Sequence, residues 1–253
     1  MAGIFLDSGA FTVYTKKVKI DIQEYIEFLY KNKDKLDVYC NLDVIDDVEA
    51  TWKNFEIMKK AGLDPLPVFH PGEDFKYLRR CLEYDYFCIG TGATNPSKNK
   101  RIEFLDKAFS IICEKDGYPQ AKVHGLGMTD FELMRRYPFF SVDSSSWKLH
   151  SAMGIALIPP PAKDGGYDYV KLPKALSFCN KFRKKPNDHF DNCSKEYRKW
   201  VIDYLATKGY TPEEIKASNV ARAFVNLDYF KTFQGHLPDW PWKFKHFKFN
   251  FFH

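Results

Sequence analysis

The sequence lacks any run of 18 or more apolar residues, so we expect no membrane-spanning segment. It has only six cysteines, and their scattered spacing favours free thiols in a reducing cytoplasm over a disulfide framework. The first residues carry no basic stretch ahead of their apolar ones, so they do not resemble a signal peptide. We therefore expect a cytoplasmic protein with no membrane partner.

The sequence is rich in apolar and aromatic residues. Of its 253 residues, 45% are apolar and 17% are aromatic, which is enough for one large core. Positive charge is concentrated, because residues 174–253 hold 15 Lys and Arg against 8 Asp and Glu while the remainder is nearly neutral. This imbalance favours a polyanionic partner such as nucleic acid, and the alternative is a solvated, lysine-rich surface.

Apolar segments that end in acids or glycines alternate with amphipathic segments through the first 143 residues. The predicted strands are 2–7, 36–43, 65–70, 86–92, 121–127 and 139–142, with helices between most of them. This alternation predicts an α/β fold with a parallel sheet and right-handed crossovers. A TIM barrel of the (β/α)8 type is favoured over an open sheet, because it gathers all the special strand ends at one mouth.

The alternation changes after residue 147. Ile155–Ile158 fits an irregular insertion or a hairpin, and residues 167–172 are predicted to form a seventh strand. Helices are predicted at 194–208 and 212–233, and the second opens with a Thr-Pro-Glu-Glu start signal.

Two regions follow from this pattern. Residues 1–175 are predicted to form the barrel core with the active site, and residues 176–253 a basic, aromatic-rich helical region packed on it. No clean eighth strand is evident, so we expect the barrel to be irregular or truncated.

Two acids, Asp7 and Asp143, follow comparable predicted strands. A barrel brings such strand ends together. Two carboxylates beside a glycosidic carbon suffice to exchange the group it carries, because one attacks the carbon while the other protonates the leaving group. The alternative for either acid is a cap on the helix after its strand.

Four short segments carry a resemblance. Asp-Ser-Gly-Ala-Phe at 7–11 is similar to an Asp-Ser-Gly-Gly-aromatic motif, and Ile-Gly-Thr-Gly at 89–92 to a glycine segment that faces a base. His-Gly-Leu-Gly at 124–127 and Ser-Val-Asp-Ser at 141–144 are similar to a glycine segment and the nucleophile-bearing strand that follows it. Over about residues 3–147 the chain thus resembles the tRNA-guanine transglycosylase superfamily, most closely its phage and bacterial branch acting on DNA.

The resemblance implies roles for individual residues. Asp143 would be the nucleophile that attacks C1′ of a nucleoside, and Asp7 would be the general acid and base. Asp43 would accept hydrogen bonds from the N1–H and the exocyclic amine of a guanine-like edge. The other implied substrate-binding residues are Phe11, Ser8, His70, Gly90, Gly92, His124 and Gly125.

Within that set, Phe11 would stack on the base, and His124 would lie near its other face. Gly90 and Gly92 would let the backbone approach the heterocycle. Ordinary structural roles stay open as alternatives: core packing for Phe11 and His124, a turn for His70, and a helix cap for Asp43.

The chain also departs from the family pattern. Ala10 replaces the second glycine, and Thr12 stands where a glutamine is expected. The Cys-x-Cys-x-x-Cys zinc run of the tRNA enzymes is absent, and Cys179, His189 and Cys193 are a weak substitute at their spacing. We therefore predict no cofactor, with a structural zinc site left open as an alternative.

The resemblance implies an enzyme, a pentosyltransferase that replaces guanine in DNA by a 7-deazaguanine base through a covalent aspartyl intermediate. The missing zinc run and RNA-anchoring elements favour DNA over tRNA, and the target base must be flipped or single-stranded. Phosphates would be held by Lys181, Arg183, Lys184, Lys185, Lys195, Arg198 and Lys199. A phage-encoded chain would act in the host cytoplasm. The alternatives are a queuine-type tRNA-guanine transglycosylase, a nucleoside hydrolase, and a non-catalytic nucleic-acid-binding accessory protein.

Overall fold

The computed structural model describes residues 3–90, 97–113, 115–179 and 188–245. The chain divides into two compact units. The first comprises Met1–Asp143 together with Asp239–His253, and the second comprises Ser144–Pro238. The division predicted after residue 175 falls inside this second unit.

The first unit is built on parallel strands, as the alternating pattern predicted. They are β1 (Phe5–Leu6), β2 (Val38–Tyr39), β3 (Val68–Phe69), β4 (Tyr86–Ile89), β5 (Lys122–Gly125) and β6 (Ser141–Val142). β1 pairs with β2, and β3 to β6 pair in chain order, all in parallel. A parallel bridge between Cys40 and Leu66 lies just after β2 and just before β3. Each strand end therefore points the same way as its neighbour's.

Six α-helices accompany these strands among the residues of this unit that the structure describes. They are α1 (Ala10–Lys16), α2 (Ile22–Asn32), α3 (Val48–Lys60), α4 (Phe75–Cys81), α5 (Lys98–Ile112) and α6 (Phe131–Arg136). The Asp21 carboxylate caps α2 by accepting from the amides of Gln23 and Glu24. The sequence predicted only a turn where α1 begins, because Ser-Gly-Ala is a weak helix start. α1 was therefore missed.

Aromatic residues fill the core of this unit. Phe55, Phe69, Phe87 and Phe109 are almost fully buried. The segment after residue 238 contributes as well, since the ring of Phe244 lies 5.7 Å from that of Tyr137. Burying a phenylalanine side chain contributes roughly 1.5–3 kcal/mol, so this cluster accounts for much of the driving force for folding.

The second unit has a different architecture. Its strands β7 (Ile155–Ile158) and β8 (Lys174–Ser177) pair antiparallel. The prediction of a strand at residues 167–172 was wrong. The Asp168 carboxylate accepts hydrogen bonds from the amides of Val170 and Lys171, and this turn ends any extended conformation there.

The helices of the second unit pack around this hairpin. They are α7 (Ser146–Ala152), α8 (Lys195–Thr207), α9 (Pro212–Ala217) and α10 (Asn219–Gln234). The capping box predicted at the start of α9 is present between Thr211 and Glu214. The single helix predicted over 212–233 is divided at Ser218, whose extended backbone separates α9 from α10 and whose hydroxyl caps α10. None of the helices in the described part of the chain has the length and apolarity needed to cross a bilayer.

Candidate active site

Asp7 and Asp143 lie directly after β1 and β6 in the first unit. Partial burial, and then the negative charges of Asp43 and Asp143, raise the pKa of the Asp7 carboxyl above its ordinary value. Part of the Asp7 residue nonetheless remains exposed to solvent. Because Asp143 acts on Asp7 electrostatically, the two acids belong to one charged cluster, together with Asp43.

Asp143 has the opposite shift. Burial raises the pKa of its carboxyl, but the neighbouring His124 ring and the Gly127 amide outweigh that effect and lower it below its usual value. The Gly127 amide donates to Oδ1 at 2.8 Å, and His124 Nε2 lies 3.4 Å from the same oxygen. The Asp143 side chain is 46% exposed, so an ionised carboxylate faces solvent here.

Gly127 reaches this oxygen through a left-handed backbone conformation. Its φ is +66°, a region that residues with a Cβ rarely adopt. The second glycine of the Gly-x-Gly pattern thus contributes an amide donor to Asp143. The motif is visible in the sequence, but this contact was not predicted from it.

His124 lies behind Asp143, with only 3% of its side chain exposed. Its Nδ1 is 2.7 Å from the Ser141 hydroxyl, which is in turn 2.7 Å from the Tyr86 hydroxyl. The Phe5 ring stacks on the imidazole at 3.9 Å between centroids. Ser141, Tyr86 and Phe5 were not predicted as site residues, and no local pattern distinguishes Tyr86 and Phe5 from ordinary strand residues.

Asp43 forms a second buried cluster. The Ser8 hydroxyl donates to its Oδ1 at 2.5 Å, and His70 Nε2 lies 2.7 Å from its Oδ2. Burial lowers the pKa of His70, but the Asp43 carboxylate more than offsets this and raises it overall. The cap of α3 is Asp47, so the alternative role of Asp43 as a cap is not realised.

Two of the predicted glycines make room for neighbouring side chains. A Cβ on Gly90 would lie 2.2 Å from Nδ1 of His70, so the imidazole occupies the space that a side chain would need. A Cβ on Gly125 would lie 3.0–3.2 Å from three packed side chains, those of Met128, Phe139 and Val142. Gly92, the third predicted glycine, lies outside the described residues.

A pocket of about 540 Å³ opens beside Asp43. Its wall includes Tyr14 and Lys17 from α1 and the adjoining turn. Phe11, on the same helix, is 58% exposed and is therefore not a core residue. The exposed ring of Phe11 and the buried carboxylate of Asp43 thus lie on segments that follow the paired strands β1 and β2.

Metal ligation finds no support in the described part of the chain. No group of three or more His, Cys, Asp or Glu side chains there is arranged to hold a metal ion. Cys179, His189 and Cys193 are all described, and they do not form such a group. Of the basic residues assigned to phosphates, Lys181, Arg183, Lys184 and Lys185 lie outside the described residues.

Comparison of the chain with protein-family models, with curated proteins and with solved structures found no match.

Proposed function

We propose that this protein is a base-exchanging glycosyltransferase that replaces guanine in DNA by a 7-deazaguanine derivative. The observation that carries the proposal is the grouping of the two acids around His124, whose Nε2 lies 3.4 Å from Asp143 Oδ1 and whose ring stacks on Phe5, two residues before Asp7. A nucleophilic carboxylate must be ionised, and a general acid must hold its proton. The lowered pKa of Asp143 and the raised pKa of Asp7 match these two roles.

The reaction would proceed in two displacements. Asp143 attacks C1′ of the target nucleoside through Oδ2, since Gly127 and His124 hold Oδ1. The C1′–N9 bond breaks, its electron pair leaves with guanine, and Asp7 supplies the proton that neutralises the leaving base. Asp7 then takes a proton from the incoming base, whose nitrogen attacks C1′ and releases the Asp143 carboxylate. Two inversions give net retention at C1′.

The substrate base would bind beside Asp43. Each oxygen of that carboxylate has a second lone pair, so hydrogen bonds to Ser8 and His70 leave acceptor capacity for a guanine edge. The adjacent pocket and the exposed ring of Phe11 supply volume and a stacking surface. We assign Asp43, Phe11 and His70 to base binding on these grounds.

DNA is proposed as the polymer for two reasons. The chain lacks the cysteine run of the tRNA enzymes, and its positive charge is concentrated after residue 173. Lys195, Arg198 and Lys199 at the start of α8 are the described members of the basic set. We also propose that β1 to β6 belong to a closed (β/α) barrel, a hypothesis supported by their parallel order and by the electrostatic coupling of the first and sixth strand ends.

A base-exchange assay tests the function. Purified protein is incubated with DNA or tRNA carrying radiolabelled guanine, together with a 7-deazaguanine base, and released guanine and modified nucleosides are measured. We expect release from DNA that depends on the added base, and incorporation of that base in equal amount. Release from tRNA alone would favour the tRNA enzyme, and release without incorporation would favour a nucleoside hydrolase.

Asp143→Asn tests the mechanism, with Asp64→Asn as the matched control because Asp64 is exposed in a surface ion pair. We expect Asp143→Asn to lose exchange by at least about 10³-fold, and to form no covalent adduct with the DNA in denaturing electrophoresis. Asp64→Asn should behave as the wild type. Near-normal exchange by a folded Asp143→Asn protein would overturn the mechanism. If the wild type exchanged guanine in neither DNA nor tRNA, the proposed function would be overturned.

A further inference from the structure

A row of three polar side chains stands behind Asp143. Tyr86, His124 and Ser141 come from β4, β5 and β6, and strand pairing brings them together. The hydroxyls of Tyr86 and Ser141 are 2.7 Å apart, and Ser141 Oγ is 2.7 Å from His124 Nδ1. His124 Nε2 then faces Asp143 Oδ1 at 3.4 Å. The row therefore ends on the carboxylate assigned as the nucleophile.

One direction of hydrogen bonding uses every proton of this row. Burial raises the pKa of Tyr86 to about 12, so its phenol keeps its proton at neutral pH. Ser141 is the only hydrogen-bond partner of that phenol within the described residues, so a proton donated by Tyr86 to the protein goes to Ser141. Ser141 has a single proton, which it then donates to Nδ1 of His124.

This direction decides the tautomer of His124. A nitrogen that accepts a hydrogen bond carries no proton, so in this arrangement the proton of the neutral ring sits on Nε2, the nitrogen 3.4 Å from Asp143 Oδ1. The Phe5 ring, 18° from parallel to the imidazole, holds the plane of the ring.

Exposure separates the role of His124 from that of Asp143. His124 has 3% of its side chain exposed and Asp143 has 46%, so only the carboxylate is open to a substrate. His124 can therefore affect the reaction only through Asp143.

We propose that Tyr86, Ser141 and His124 form a directed hydrogen-bond chain that positions the Asp143 carboxylate for attack. Tyr86, Ser141 and His124 are all positioning residues in this scheme. His124 acts on Asp143 and does not contact the substrate base, the role that the resemblance implied for it. The assignment of Asp143 as a nucleophile rests on the proposed function, whereas the tautomer of His124 does not. The separation of 3.4 Å is long for a hydrogen bond, and such contacts commonly tighten when a substrate binds.

The tautomer is measured first, in the free protein, by long-range ¹⁵N–¹H correlation spectra of the histidine rings. The signals of His124 are assigned from their loss in His124→Gln. We expect the Nε2–H form in the wild type, and a mixture of both tautomers in Ser141→Ala. Ser141→Thr, which keeps the hydroxyl, should restore the wild-type spectrum. A protonated Nδ1 in the wild type, or an unchanged spectrum in Ser141→Ala, would overturn the proposed hydrogen-bond chain.

The kinetic effect is measured second, as the rate of covalent adduct formation at saturating DNA. We expect Ser141→Ala and Tyr86→Phe to lower this rate by about 10- to 100-fold, with little change in KM for the incoming base. The matched controls are Ser110→Ala and Tyr84→Phe. They also remove one serine and one tyrosine hydroxyl, but at positions outside the hydrogen-bond chain. Rates equal to the controls would contradict a positioning role.

The two measurements fail separately. An inactive wild-type protein with the Nε2–H tautomer would overturn the proposed function but not the proposed hydrogen-bond chain. If the wild type is active and Ser141→Ala changes neither the spectrum nor the rate, the proposed hydrogen-bond chain is overturned but the proposed function is not.

Discussion

The Nε2 atom of His70 lies 2.7 Å from Oδ2 of Asp43, and the two side chains are only 9% and 3% exposed. The other oxygen of Asp43 is held by Ser8. Removing the carboxylate would leave a buried imidazole and a buried hydroxyl without their partner. This pair is therefore both part of the candidate site and a support of the fold.

We expect Asp43→Ala to lower the free energy of unfolding by about 3–5 kcal/mol, because it leaves one half of a buried ion pair uncompensated. Urea denaturation of the free protein measures this. The control is Asp64→Ala, which removes an exposed ion pair with Lys59 and should cost about 1 kcal/mol or less. Equal effects of the two substitutions would contradict the structural role of Asp43.

Gly90→Ala should also destabilise the protein, since its Cβ would lie 2.2 Å from Nδ1 of His70. We expect a loss of about 1–3 kcal/mol, the usual cost of overpacking a buried site. Gly235→Ala is the control, because its φ is −67° and the nearest atom is an ordinary contact at 3.4 Å. Combining Gly90→Ala with His70→Ala should cost less than the sum of the two single changes. Strict additivity would show that the two residues do not compete for space.

Asp7→Asn should stabilise the protein at neutral pH. The raised pKa of Asp7 means that the native state binds this proton more tightly than the unfolded chain, whose ordinary value is 3.8. Wild-type stability is therefore lost as pH rises from about 3.8 through the native value, and the Asn side chain escapes that loss. Urea unfolding at a series of pH values should give a gain that grows with pH and then levels off. A gain that shrinks as pH rises would contradict the assigned charge cluster.

Asn226 holds the second unit together through three backbone groups. Its side chain accepts from the amide of Leu157 and donates to the carbonyls of Trp147 and Ile155. We expect Asn226→Ala to cost about 2–4 kcal/mol, because buried groups lose their partners. Thermal or urea unfolding measures the loss, and the exposed Asn219→Ala on the same helix should change stability little. A small effect at Asn226 would mean that water replaces the side chain.

Local signals in the sequence were sufficient for most of the elements. Six parallel strands fall within the segments predicted for them, and the start signal predicted before α9 is a capping box between Thr211 and Glu214. These signals act over a few residues, because caps bind the nearest amides and apolar periodicity follows one face of one element. α1 was missed because Ser-Gly-Ala is a weak helix start, and the turn at Asp168 because its carboxylate binds the amides of Val170 and Lys171 within a segment of apolar residues.

By itself, the sequence determined which segments of the first 143 residues are strands and which acids end them, and so it predicted where chemistry would lie. Only the tertiary structure decided the partners of those acids. Tyr86 and Ser141 are 55 positions apart, and Asp43 and His70 are 27 apart, so no local pattern links either pair. Such pairs form because parallel strands bring side chains of separate segments into register, and that register depends on packing across the whole sheet.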